Sequence, residues 1–299
     1  MKVFLLEAAR LLCFADVSNI MSRSPTIPVV PAGKAVIGAE KTVHRFFFAL
    51  FLAAFALVWL HLLQVLAWPG NSDWPMALLV VTAVITTMLS LSRQLPGQNV
   101  LLAASIIAAI AGTAQALGAI TGIPFGPYLY TDTAGPKLFR VLPWSIPVLW
   151  IIVILNARGV ARLILRPWRK SRLYGFRLIG VTAVLALVFD FGLEPFATLV
   201  NHCWLWQPTK LALLWHGTPP TNFLGWLMTA LLVLAFATPV MINKSHQKFP
   251  SDYHPLIIWL LLSLLFATGV AAHQLWLATG FLVLAGLITT VMAVRGARW

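Results

Sequence analysis

The sequence predicts an all-α fold, a polytopic membrane helical bundle of about eight transmembrane helices, and three observations predict it. Of 299 residues, 60% are hydrophobic and only 10% are charged, and the mean hydropathy is +0.88, a composition that prefers hydrocarbon to water. The apolar residues gather into stretches of about 18 to 23, the length that crosses a bilayer core as a helix. The basic residues gather into alternate connections between those stretches, as the positive-inside rule requires.

Residues 1 to 45 read as a lead, disordered or amphipathic, that contains Pro25, Pro28 and Pro31. Glu7 and Arg10 interrupt its early apolar run, which makes it a poor signal peptide and leaves Met21 as an alternative start. A single integral-membrane domain is expected over 46 to 299. Its spans fall near 46 to 68, 74 to 91, 99 to 120, 143 to 157, 178 to 200, 223 to 242, 255 to 275 and 277 to 294. The fourth is short and draws on its flanks. The tight last hairpin, near Trp276 to Gly280, keeps a seven-helix alternative with one re-entrant segment.

The 21 Lys and Arg against 8 Asp and Glu give a net charge of +13. In a soluble protein that excess would point to nucleic acid. Here seven of the basic residues (Arg158, Arg162, Arg166, Arg169, Lys170, Arg172 and Arg177) crowd one interhelical connection, with no acid from Thr133 to Phe189. That is a topology signal and a contact for membrane lipids, so no nucleic-acid partner is expected. Lys41 and Arg45, Arg93, 244 to 248, and Arg295 with Arg298 fall on the same side. Both termini are therefore placed in the cytoplasm of a bacterial or archaeal cell. Trp68, Trp74, Trp144, Trp204, Trp206 and Trp276 are then expected at the outer interface, where indoles are favoured. Cys13 and Cys203 make neither a disulfide framework nor a metal site. With no phosphate-binding glycine loop, no His or Cys cluster and no paired Asp-rich motifs, no cofactor or metal is expected.

The two long outer connections are TGIPFGPYLYTDTAGPKLFRVLPWSIP and NHCWLWQPTKLALLWHGTPPTN. Both are rich in Gly, Pro and aromatics, which fix the backbone and present flat apolar faces. They are expected to fold back and roof a pocket in the outer half of the bundle.

Below that roof, VFDFGLEPFA puts Asp190 and Glu194 inside the apolar run from Leu178 to Val200. At i and i+4 their side chains leave one helix face about 5 to 6 Å apart at Cβ. Each buried charge costs on the order of 3 kcal/mol in hydrocarbon, and two like charges at this spacing do not both ionise. One acid and one base is the division of labour that such a pair supports. A lone intramembrane acid is as readily structural, a cap on a buried arginine or loop amide. Two on one face, with no cation in the span, favour chemistry. Pro195 cannot donate to the carbonyl of Phe191, so the helix is expected to bend there and to leave that carbonyl for water or substrate. His61 and His273 are the other mid-span ionisable groups, too few for a proton-transport relay.

FGPYLYTDTAGPKLFRVLPWSIPVLW (125 to 150), DFGLEPFATLVNHCWLW (190 to 206) and TNFLGW (221 to 226) together resemble the integral-membrane carotenoid biosynthesis hydratases, the group of bisanhydrobacterioruberin hydratase and γ-carotene 1'-hydratase. The resemblance covers roughly 100 to 245. It implies addition of water to the terminal ψ-end double bond of an acyclic or monocyclic carotene, without redox cofactor, and proximity to other carotenoid-pathway membrane enzymes. The chain departs from the family's pattern before the prolines of Arg140–Pro143 and Thr218–Pro220, so substrate choice does not carry over.

The chemistry fits the residues. Hydration of a trisubstituted alkene needs a dry acid to protonate C2, and water then captures the tertiary cation at C1. Asp190 and Glu194 are the candidate acid and base. Phe125, Tyr128, Tyr130, Trp204, Trp206 and Trp226 are the candidate aromatic faces for cation and substrate, and His202 and Asn222 the candidate water holders. Each aromatic is equally readable as interfacial belt, and each of the two polar residues as a turn former. A carotenoid cyclase shares the same first step. A non-catalytic carotenoid or lipid carrier, in which the carboxylates are structural, is the alternative from another class.

Overall fold

Eight helices, each long and apolar enough to cross a membrane, occur among the described residues of the computed structural model, which are 32–66, 74–208, 213–242 and 251–299, with side chains from Thr42 onward. Most of the expected lead, Cys13, Trp68 and the 244 to 248 connection lie outside them. From Val43 onward the chain forms one compact unit.

The helices are α1 (Ala32–Leu62), α2 (Trp74–Ser92), α3 (Gly97–Thr121), α4 (Ser145–Ile164), α5 (Tyr174–Pro195), α6 (Pro220–Val240), α7 (His254–Ala272) and α8 (Trp276–Ala297). Both α7 and α8 are full-length, which removes the seven-helix alternative. The turn between them closes in three residues because Gln274 adopts a left-handed backbone, φ 60°.

Helix α4 is the axis of the bundle. It packs against α2, α3, α5, α7 and α8, and 67% of its span is buried, against 22% for α8. The sequence explains this: the stretch IPVLWIIVIL, 146–155, is apolar on every face, the pattern of a helix with neighbours all round.

The helix also runs further than its apolar stretch suggested. Arg158 and Arg162 belong to α4, and Arg177 belongs to α5, so the basic connection shrinks to 165–173. Nothing between 158 and 164 breaks a helix, and the first breaker is Pro167. Gly159 is required where it stands, because a Cβ there would run into the ring of Pro255 on α7.

The two long connections meet at the other end of the bundle. β1 (Tyr128–Tyr130) pairs antiparallel with β4 (Trp204–Trp206), in the register Tyr128 with Trp206, Leu129 with Leu205 and Tyr130 with Trp204. A small hairpin of β2 (Lys137–Leu138) and β3 (Leu142–Pro143) leads into α4. Side chains alternate across a strand. Leu129 and Leu205 therefore face outward and are exposed, while the two tyrosines and two tryptophans face down.

Candidate active site

Helix α5 carries Asp190 and Glu194 to the underside of this roof. Both are buried, at 0% and 2% exposure, on the face that meets α6, and Asn222 in the first turn of α6 stands opposite them. Its amide Nδ2–H groups donate to Asp190 Oδ2 at 2.9 Å and to Glu194 Oε1 at 3.0 Å. One nitrogen thus holds oxygens of both acids.

Glu194 Oε2 accepts three further hydrogen bonds from three separate loop positions. Trp206 Nε1–H donates at 2.9 Å, Trp204 Nε1–H at 3.2 Å and the Thr218 hydroxyl at 3.2 Å. The hydroxyl is delivered by a tight turn in which Trp215 bridges to Thr218 and His216 and Gly217 both take positive φ. Every partner of Glu194 is a donor, a shell that suits an ionised carboxylate. Asp190 differs, since its Oδ1 is buried without a partner.

The far wall is a hydroxyl cluster. The Tyr128 hydroxyl donates to Gln115 on α3, at 2.9 Å to Oε1 and 3.0 Å to the carbonyl. The Tyr130 hydroxyl reaches the same Oε1 at 3.1 Å. Burial pushes both phenols above the usual tyrosine range, so they remain donors. Between this wall and Glu194 lies a cavity of about 20 Å³, room for about one water. Ile146, Leu149, Trp150, Leu193 and Trp226 supply its apolar side. The rings of Trp150 and Trp226 are stacked with centroids 4.1 Å apart.

The structure thus gathers Tyr128, Tyr130, Trp204, Trp206, Asn222 and Trp226 around Glu194, with Asp190 one turn deeper on α5. Phe125 and His202 lie outside the cavity wall. Phe125 is wedged between Gly118 of α3 and Gly225 of α6, where an added Cβ would come within 2.6 Å of its ring on either side. His202 is exposed, with its ring on the carbonyl of Thr198 at 2.9 Å. The indole N–H groups of Trp204 and Trp206 are committed to Glu194.

The Phe191 carbonyl is not left for water or substrate either. Trp215 Nε1–H donates to it at 2.9 Å. Past Pro195 the chain continues as one wide π turn, Phe196–Val200, which carries it into β4.

Gln115, Thr218 and Trp215 escaped the sequence reading. Gln115 had a signal, an uncharged polar residue within an apolar span. Tyr-Leu-Tyr and Trp-Leu-Trp share an aromatic–aliphatic alternation, too short at three residues each to announce strands. Thr218, noted only as a departure from a family pattern, touches the carboxylate directly.

Comparison with known proteins places these observations. The chain is 29% identical over 123 residues to bisanhydrobacterioruberin hydratase of Haloarcula japonica, a match that covers 41% of this chain and 39% of that enzyme. The alignment therefore spans well under half the length of that relative. No solved structure matches the chain. The model of the family described as carotenoid biosynthesis protein matches residues 74–292, which take in α2 to α7, most of α8, the roof and both carboxylates; this integral-membrane chain belongs to the carotenoid biosynthesis protein family.

Proposed function

We propose that the protein hydrates a terminal ψ-end C1–C2 double bond of an acyclic or monocyclic carotene, with Asp190 and Glu194 as a pair that shares one proton. The observation that carries this reading is the single Asn222 amide joining two buried carboxylates, of which Glu194 lines a cavity of about one water. The two amide distances put the bound oxygens less than about 6 Å apart, close enough for the charge of one acid to hold the other neutral.

Roles follow from the partners. Glu194, with its four donors, is the base; Asp190, with Oδ1 unmatched, holds the proton. The carotene end group enters from the lipid, displacing apolar side chains, since the cavity at rest is too small for an isoprenoid terminus. Asp190 protonates C2 and the double bond becomes a tertiary cation at C1. Water held between the tyrosine hydroxyls and Glu194 adds its oxygen to C1, and its proton passes to Glu194. The product is a tertiary alcohol. Return of that proton from Glu194 to Asp190 restores the pair, so no redox partner is consumed. The indole and phenol faces lining the cavity stabilise the cation without supplying an alkene to trap it. That a water-sized space adjoins the base favours hydration over cyclisation.

The test is pigment analysis by liquid chromatography with mass detection in a lycopene-producing host, followed by hosts making elongated and monocyclic carotenes. Wild type yields species heavier by one or two waters, and Asp190→Asn and Glu194→Gln do not. A product of unchanged mass but altered retention would assign cyclisation instead. Pigment that binds without conversion in all these hosts would assign a carrier.

A further inference from the structure

The far end of the bundle mirrors the acid pair with a basic one. Arg158 and Arg162 are also at i and i+4, on α4, and they border a cavity of about 30 Å³ together with Ser90, Gln94, Asn156 and Asp252. Arg158 is buried at 6% exposure. Its Nη2–H donates to the Met241 carbonyl at the end of α6, at 3.0 Å, but its Nε–H is buried with no acceptor. Arg162 is half-buried and donates to Gln94 Oε1 at 2.8 Å. Asn156 Oδ1 is likewise buried without a partner.

Among the described residues, neither arginine of the pair has an ion-pair partner. The one carboxylate on the cavity, Asp252, is already engaged by Ser90 at 2.8 Å, Gln94 at 3.1 Å, Arg93 at 3.4 Å and His254 at 2.6 Å. No Asp or Glu occurs from Thr133 to Phe189 or from Pro195 to Ser251. Leaving a buried guanidinium uncompensated beside a second one is strongly unfavourable. A guanidinium fork matches phosphate oxygens in two-point geometry.

We propose that Arg158 and Arg162 form a binding site for a phosphate group, which neutralises the pair and accepts the free Nε–H of Arg158. A volume of about 30 Å³ has room for one or two of a phosphate's oxygens, so the rest of the phosphate and of any larger ligand lies outside. The source is either the head group of an anionic phospholipid in the leaflet at this end or free inorganic phosphate.

The experiment uses the full chain purified in detergent. Thermal unfolding is followed with added phosphatidylglycerol, with phosphatidylcholine, with inorganic phosphate and with chloride at matched ionic strength, and native mass spectrometry counts retained lipid. The expected result is that phosphatidylglycerol or inorganic phosphate raises the midpoint and chloride does not. Which of the two succeeds identifies the source. Arg162→Gln, at a half-buried position that folding tolerates, weakens the effect at least 10-fold in ligand concentration, and Arg158→Gln abolishes it. Equal response of wild type and Arg162→Gln, or no response to any phosphate species, overturns the proposal. Carotene conversion is not the readout, so this result stands apart from the activity at the other end.

Discussion

Trp206 and Glu194 are twelve residues apart in sequence and joined by a 2.9 Å hydrogen bond from indole Nε1–H to carboxylate Oε2. This contact ties the roof sheet to the membrane helix beneath it. Because Trp206 pairs with Tyr128 across the sheet, one bond links both long connections to the acid pair. Replacing Trp206 by Phe keeps the ring and removes only the donor. A charge-assisted hydrogen bond of this kind contributes about 1.5 to 3 kcal/mol, so conversion of carotene by membranes carrying Trp206→Phe should fall about 10- to 100-fold, with expression unchanged. Undiminished conversion would show that the bond is dispensable.

Asn222 is expected to matter for the fold as well as for activity. Truncation to Ala removes the donor shared by two buried acids, at a cost of about 1 to 3 kcal/mol for the groups left unmatched. The unfolding midpoint of the detergent-solubilised Asn222→Ala protein should drop by several degrees. An unchanged midpoint would mean that another group takes over the bridge.

At Gly225 the prediction concerns packing alone. An alanine Cβ would meet the Phe125 ring at 2.6 Å, and overpacking of this kind costs about 1 to 3 kcal/mol. Gly225→Ala should destabilise the protein, and the double variant with Phe125→Leu should recover part of the loss. Additive losses would disprove the wedge.

Asp252 sets a pH dependence at the basic end. Burial pushes its carboxyl up, but hydrogen bonds from the His254 ring, the Ser90 hydroxyl and the His254 amide outweigh that and hold it well below the usual carboxylate range. The folded value is therefore lower than the unfolded one near 4. The stability that it contributes is complete above that pH and is lost as pH falls further. Melting midpoints between pH 7 and pH 3 should decline less in Asp252→Asn than in wild type. Parallel decline would remove Asp252 from the account.

These predictions rest unevenly on what the sequence disclosed. The spans were legible because hydrocarbon thickness imposes a length on each one. Asp190 and Glu194 were legible because an apolar run makes a charge conspicuous. The pairing of β1 with β4 was not, since it joins segments more than seventy residues apart and three-residue strands leave little periodicity to read. The Phe191 carbonyl was expected to be available because Pro195 frees it locally, and Trp215 reaches it only through the tertiary fold. The extension of α4 through Arg158 and Arg162 was hidden by the convention that a charge marks a loop, although neither residue breaks a helix.

The donors to Glu194 come from residues 204, 206, 218 and 222, all of which follow it in the chain. A ribosome therefore delivers α5 to the membrane before any of these donors has been made. During that interval the two acids face hydrocarbon or the translocon with no hydrogen-bonding shell. Biosynthesis consequently has an order built into it: α5 must wait, as an unfinished span, for α6 and the roof to arrive.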